Sequence, residues 1–163
     1  LTLSLQFFAQ EKIVVLINSN GTFIETYEKQ KTDYSEYTIQ SQSKRLGPAA
    51  SKSLKEGLST ALKWIDLNKV HKKSFEKEIC RFKAMDKEAW EMMGFQNSFA
   101  SEMSMLFIGN NDGTFILRIG NTIMVNSYFG NFLTFKDESR LKKFLGMLNG
   151  NSPDKEIDDI FKR

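Results

Sequence analysis

Apolar residues recur along this chain with two different periods. Lys12-Ile-Val-Val-Leu-Ile17 is an almost unbroken apolar run, the pattern of a buried strand. Thr22–Tyr27 predicts a second strand, and the polar stretch Glu28–Asp33 reads as a connection. Tyr34-Ser-Glu-Tyr-Thr-Ile39 alternates and is rich in Tyr, Thr and Ile, as a half-exposed strand should be. From Ala49 the period changes. Leu54, Leu58, Ala61, Leu62 and Ile65 fall at helical spacing, and Gly57 weakens that helix by about 1 kcal/mol relative to Ala. Phe75, Ile79 and Phe82 also fit a helical stripe; the same residues would suit an edge strand, and a helix is the expectation adopted. Asp86 predicts the N-cap of a helix over Lys87–Met93, with Gly94 as its stop.

The second half has a clearer pattern. Met103–Ile108 and Thr114–Ile119 predict two strands, the latter with Phe115, Leu117 and Ile119 on one face and Ile116 and Arg118 on the other. Thr122–Asn126 and Phe132–Phe135 complete a four-stranded meander, with Met124 on the same face as Arg118. Asp137 caps a helix whose Leu141, Phe144, Leu145 and Leu148 form one apolar face, stopped near Gly150. Ser152-Pro153 predicts a last short helix, and Leu1, Leu3, Leu5 and Phe7 alternate as a strand would.

Asn18-Ser-Asn-Gly-Thr-Phe-Ile24 returns 92 positions later as Asn110-Asn-Asp-Gly-Thr-Phe-Ile116. Asn20-Gly21 and Asp112-Gly113 suit a two-residue hairpin turn with positive φ at both positions. The chain is therefore read as α+β: two related antiparallel meander-plus-helix units sharing one core. Residues 1–70 form a strand-rich unit ending in a helix, 71–100 a mainly helical joint, and 101–163 the four-stranded meander with C-terminal helices.

Composition alters this picture little. Fourteen Phe against four Tyr and two Trp place most rings in a core or an interface. The net charge of +3 has its excess at 49–100, with ten basic and seven acidic side chains, densest at Lys69-Val-His-Lys-Lys73. That cluster reads as a solvated helix end or as a phosphate contact. Cys80 is the only cysteine and His71 the only histidine, so no disulfide or Cys/His metal cluster is expected. There is no Walker loop and no nucleophile elbow, and Glu76/Glu78 and Asp158/Asp159 lie too close together in charged surface to predict a catalytic pair. No catalytic residue, metal or cofactor is expected. No apolar run reaches the roughly 18–20 residues of a membrane span, and a reducing, cytoplasmic setting is expected.

Strand aromatics with nearby cations form the candidate binding set: Tyr34, Tyr37 and Tyr128 for stacking on bases, and Lys69, Lys72, Lys73 and Arg118 for phosphates. Packing of these rings in a core or between sheets is the competing reading. The order of strands followed by a helix, in residues 103–149 and partly in 12–67, resembles the PUR and Whirly group of single-stranded nucleic-acid-binding proteins. That resemblance implies curved sheets that bind extended single strands. Separately, the opening Leu1-Thr-Leu-Ser-Leu-Gln-Phe-Phe-Ala9 resembles the Leu-x-Leu-Gln-Phe-Phe-Ala start of many phage and integrative-element proteins of Gram-positive bacteria. It implies a mobile-element context. The expectation is a non-enzymatic binding protein, with single-stranded nucleic acid as partner. The alternative is a protein-interaction module, such as an inhibitor of a host defence nuclease or a toxin-neutralising partner. A homodimer is compatible with either.

Overall fold

The computed structural model describes residues 10–19, 21–122 and 131–151. Its elements are β1 (Gln10–Asn18), β2 (Gly21–Lys31), β3 (Glu36–Leu46), α1 (Pro48–His71), β4 (Phe75–Asp86), α2 (Lys87–Met93), a 3-10 turn (Asn97–Phe99), β5 (Ser101–Gly109), β6 (Phe115–Asn121), β7 (Asn131–Phe135) and α3 (Glu138–Leu148). The described strands form one antiparallel meander in sequence order, β1 to β7. Among the described elements each half runs strand-strand-strand-helix, as β1-β2-β3-α1 and β5-β6-β7-α3, with β4 between them. The α+β class and the shared core therefore hold. Ile24 and Leu54 from the first half pack in one cluster with Phe107, Leu117 and Phe144 from the second.

The sheet is continuous but pinched. β3 meets β4 at only two pairs, Lys44↔Asp86 and Arg45↔Met85, whereas β4 and β5 pair from Phe75↔Gly109 to Ala84↔Ser101. α1 lies chiefly over β4 and also touches α3, and α3 touches both β7 and β1. One helix reaching both ends of the strand order requires the sheet to curl around its helices, in keeping with the natural twist of strands. Gly57 is what lets α1 come so close. A Cβ there would lie 2.6 Å from Cys80 Sγ and 3.0 Å from Met105 Cε. The residue that weakens the helix in isolation is the one that seats it on the sheet.

Several expectations need correction. Residues 75–86 are a strand, not a helix. A β-bulge between Glu78 and Cys80 inserts an extra residue. It moves the inward positions from the odd series (Phe75, Lys77) to the even one (Cys80, Phe82, Ala84), so the apolar spacing imitates a helical period. The joint 71–100 is consequently a long strand followed by one short helix. β1 is the last described strand at its edge of the sheet and not a fully buried one. Ile13 and Val15 pack on the core, while Leu16 and Ile17 are about half exposed. The supposed connection at 28–33 is mostly strand, because β2 runs to Lys31 and only 32–35 turn.

The two near-identical heptads make different turns. Asn18 pairs with Gly21, so Gly21 belongs to the strand. In the second copy Asn110 N donates to Thr114 O and Gly113 N to Asn110 O, which leaves a three-residue loop with Gly113 at φ 86°. Asp112 Oδ1 holds that loop by accepting from both Thr114 N and Thr114 Oγ1. The strands expected at 1–7 and 122–126, the helix after Ser152, and Met124 and Tyr128 lie outside the described residues, except that Thr122 is a turn.

Candidate functional site

The six candidate binding residues within the described structure do not form one site, although Lys69, Lys72 and Lys73 share the end of α1. Tyr34 stands at the tip of the β2–β3 hairpin, 98% exposed, and Tyr37 is on the same exposed arm. Lys69 Nζ is held 2.6 Å from Glu138 Oε2 and also pairs with Asp66. Its hydrogen bond to Glu138 raises the Lys69 pKa and lowers that of Glu138. Lys72, the αL cap of α1, lies beside the Asp112–Gly113 turn, where hydrogen bonds from Thr114 hold the Asp112 carboxyl low and the Lys72 charge adds a smaller share. Arg118 is half-buried on the sheet face away from α1, opposite Leu106 and Thr134. Lys73 alone enters a groove with aromatic side chains. Tyr128 lies outside the described residues.

The sheet face away from the helices is balanced in charge around β4 and β5. Arg81 Nε donates to Glu78 Oε1 at 2.7 Å and Arg81 Nη1 to Glu102 Oε1 at 3.0 Å, while Ser104 Oγ donates to Glu78 Oε2. The Arg81 and Ser104 bonds hold the Glu78 carboxyl below its ordinary range. Acids and bases that satisfy one another leave little net field for phosphates.

Three surfaces stand out instead. The first is built around α2. Ile24 points toward the helices, so Phe23, its neighbour along β2, points to the other face. There the Arg45 guanidinium lies 4.6 Å from the Phe23 centroid and 3.6 Å from that of Trp90 on α2. Burial lowers the Arg45 pKa, and Glu91 partly opposes this. Beside it the buried Glu25 accepts from Tyr27 Oη at 2.8 Å and from Lys87 Nζ at 3.2 Å, and the Tyr27 hydrogen bond to Glu25 raises the Tyr27 pKa. α2 is thereby clamped onto the sheet by its Lys87 and Trp90 side. Its other side and the turn after it are left to solvent: Met92 is 83% exposed and Phe99 63%, with Met93 and Phe95 also exposed. Phe95 leans on Trp90 at 5.1 Å between ring centroids.

The second is a polar cleft of about 530 Å³ where β3 diverges from β4, lined by Gln40, Gln42, Ser43, Lys44, Asp86, Lys87 and Glu88. Ser43 Oγ is buried there without a hydrogen-bond partner. Asp86, expected as a side-chain cap, instead binds Lys44 Nζ at 2.5 Å.

The third is an open groove of about 450 Å³ between the C-terminal half of α1 and the start of β4. Trp64, Leu67 and His71 supply its helix side, and Lys73, Phe75 and Lys77 its strand side. Trp64 packs edge-on against Phe107 and Phe75, and Lys77 Nζ stands 5.4 Å from the Trp64 ring. Asn68, at its floor, donates to Asn110 O and accepts from Lys73 N, which pins the start of β4.

Sequence reasoning missed Trp64, Lys77 and the apolar series Met92, Met93, Phe95 and Phe99. The last could have been noticed as large apolar residues without any helical or strand period. Cys80 is half-buried, and burial together with Glu78 and Glu56 pushes its thiol up to about 11, away from nucleophilic use. Among the described residues no group of three His, Cys, Asp or Glu side chains could hold a metal ion, and no helix is long and apolar enough to cross a membrane. No protein-family model, no curated protein and no solved structure matches the chain.

Proposed function

We propose that this chain is a non-enzymatic protein-binding module whose partner docks on α2 and the turn that follows it. One observation carries the reading. Met92, Met93, Phe95 and Phe99, four large apolar side chains within eight residues, face solvent from a segment anchored by the Phe23–Arg45–Trp90 stack. Apolar side chains concentrated on an anchored support are the usual anchors of a protein interface, because little ordering entropy remains to be lost on docking. The Leu-x-Leu-Gln-Phe-Phe-Ala opening supports a phage or mobile-element setting, in which the partner is a host or element protein.

Single-stranded nucleic acid is the second reading, favoured by Lys73 beside Trp64 and Phe75 in one groove. It is weakened by the pairing of Lys69 with Glu138, by the place of Arg118 on the other sheet face and by the balanced charge around Glu78 and Arg81. The test is affinity capture from a low-GC Gram-positive lysate by the native protein and by a Met92→Ser, Phe95→Ser, Phe99→Ser variant. Anisotropy with single-stranded and duplex oligonucleotides runs in parallel. A partner kept by the native chain and lost by an equally folded variant supports docking. Salt-sensitive oligonucleotide binding that the variant retains, without such a partner, replaces it with the nucleic-acid reading.

A further inference from the structure

We propose that the groove between α1 and β4 receives an extended acidic peptide, which adds as a strand to the open edge of β4. This site is independent of the α2 surface and lies at the opposite end of the same strand. The first support is the main chain. β4 is twelve residues long, yet on its β3 side it pairs only at Met85 and Asp86. Over residues 75–84 that edge has no strand partner among the described residues. Unpaired N–H and C=O groups along an extended strand are a template for another chain.

Side chains supply the second support. Lys73, Phe75 and Lys77 alternate into the groove, while Glu76 and Glu78 alternate away, and Glu78 is already engaged by Arg81 and Ser104. The helix contributes Trp64, Leu67 and His71 at spacings of three and four, which is one face. The lining thus holds two lysines, an imidazole, an amide and the apolar Trp64, Leu67 and Phe75, with no carboxylate. Lys73 and Lys77 enter no ion pair among the described residues, unlike Lys69 with its Glu138 and Asp66. Asn68 is 3% exposed with both ends of its amide in use, so it fixes the geometry and leaves recognition to the lysines and the strand edge.

An extended peptide with acids at alternate positions fits these features together. Its backbone would satisfy the β4 edge, its carboxylates would meet Lys73 and Lys77, and an apolar residue would rest on Leu67 and Phe75. A nucleic-acid strand fits less well. It makes no use of the main-chain edge, and Lys77 already stands over the Trp64 ring on which a base would stack.

The experiment is panning of a displayed random octapeptide library on the full chain at low salt. The recovered peptides are then measured by anisotropy beside an oligothymidylate. Recovered sequences should alternate Asp or Glu with apolar residues. Charge reversal at both exposed lysines, Lys73→Glu with Lys77→Glu, should weaken binding about tenfold or more. N-methylation of alternate peptide amides on the β4-facing side should abolish binding although every charge remains. The Met92→Ser, Phe95→Ser, Phe99→Ser variant should bind the peptide normally, which separates this site from the α2 surface. Recovery of no acidic alternating sequence, indifference to charge reversal, or binding that survives N-methylation of each alternate set of amides in turn overturns the proposal. Oligothymidylate binding lost on charge reversal, with no peptide bound, assigns the groove to nucleic acid instead.

Discussion

The two halves of the sheet share an order of elements and differ in what surrounds their strands. In β5 and β6 the residues Met103, Ser104, Met105, Leu106 and Phe107, and Leu117 and Ile119, are all buried. In β2 and β3 burial stops at Thr26, and the strands run on as an arm whose described side chains from Lys29 to Gln40 are exposed. A similar order of strands has therefore been put to opposite uses. β5 and β6 are scaffold along the lengths that α1 and α3 cover, whereas β2 and β3 extend beyond the helices and display surface. The lesson is that a repeated pattern predicts the path of the chain better than it predicts solvent exposure, because exposure is decided by what the other elements cover.

The sharpest way to break this contrast is to hollow out the scaffold. Phe107 stacks on Phe75 and Phe115 and receives the edge of Trp64. Phe107→Ala should cost about 3–5 kcal/mol in urea unfolding, with the loss spread over both halves because they share one core. Next in size is the reactivity of Cys80, at the seam under Gly57. With its thiol at about 11 against an ordinary 9.0, alkylation at pH 8 should run roughly a hundredfold slower than in the unfolded chain. The neutral thiol favours the folded state below pH 9.0, and that contribution is lost as pH rises through about 11. A Cys80 that alkylates at the unfolded rate would mean that α1 does not seat on β4.

Smaller still is the capping of α3, the helix that touches both ends of the strand order. Asp137 Oδ1 accepts from Ser139 N at 2.9 Å, so Asp137→Ala should cost about 1 kcal/mol by denaturant midpoint. At the other extreme, Tyr34→Ala on the arm should change stability by no more than about 0.5 kcal/mol. A larger loss would show that the arm is packed against something.

Most of the second half was legible in the sequence. Phe115, Leu117 and Ile119 alternate cleanly, and Asp137 caps the helix bearing Leu141, Phe144 and Leu148, because these segments bury one regular face. The boundaries of α2, from Asp86 to Gly94, were equally readable. What misled was of two kinds. The β4 bulge altered the period itself, and the apolar run of β1 gave no sign that it would lie at an edge. The candidate sites were less legible, since Lys73 joins Trp64 only through the turn that ends α1, and no spacing along the chain records that return.

Amide hydrogen exchange of the native chain, resolved residue by residue, tests the division between scaffold and display most directly. The account predicts that β5, β6 and the buried stretch Thr22–Thr26 exchange only through global unfolding, while the arm from Lys29 to Gln40 exchanges through small local openings. Equal protection of the arm and of β5 would contradict it.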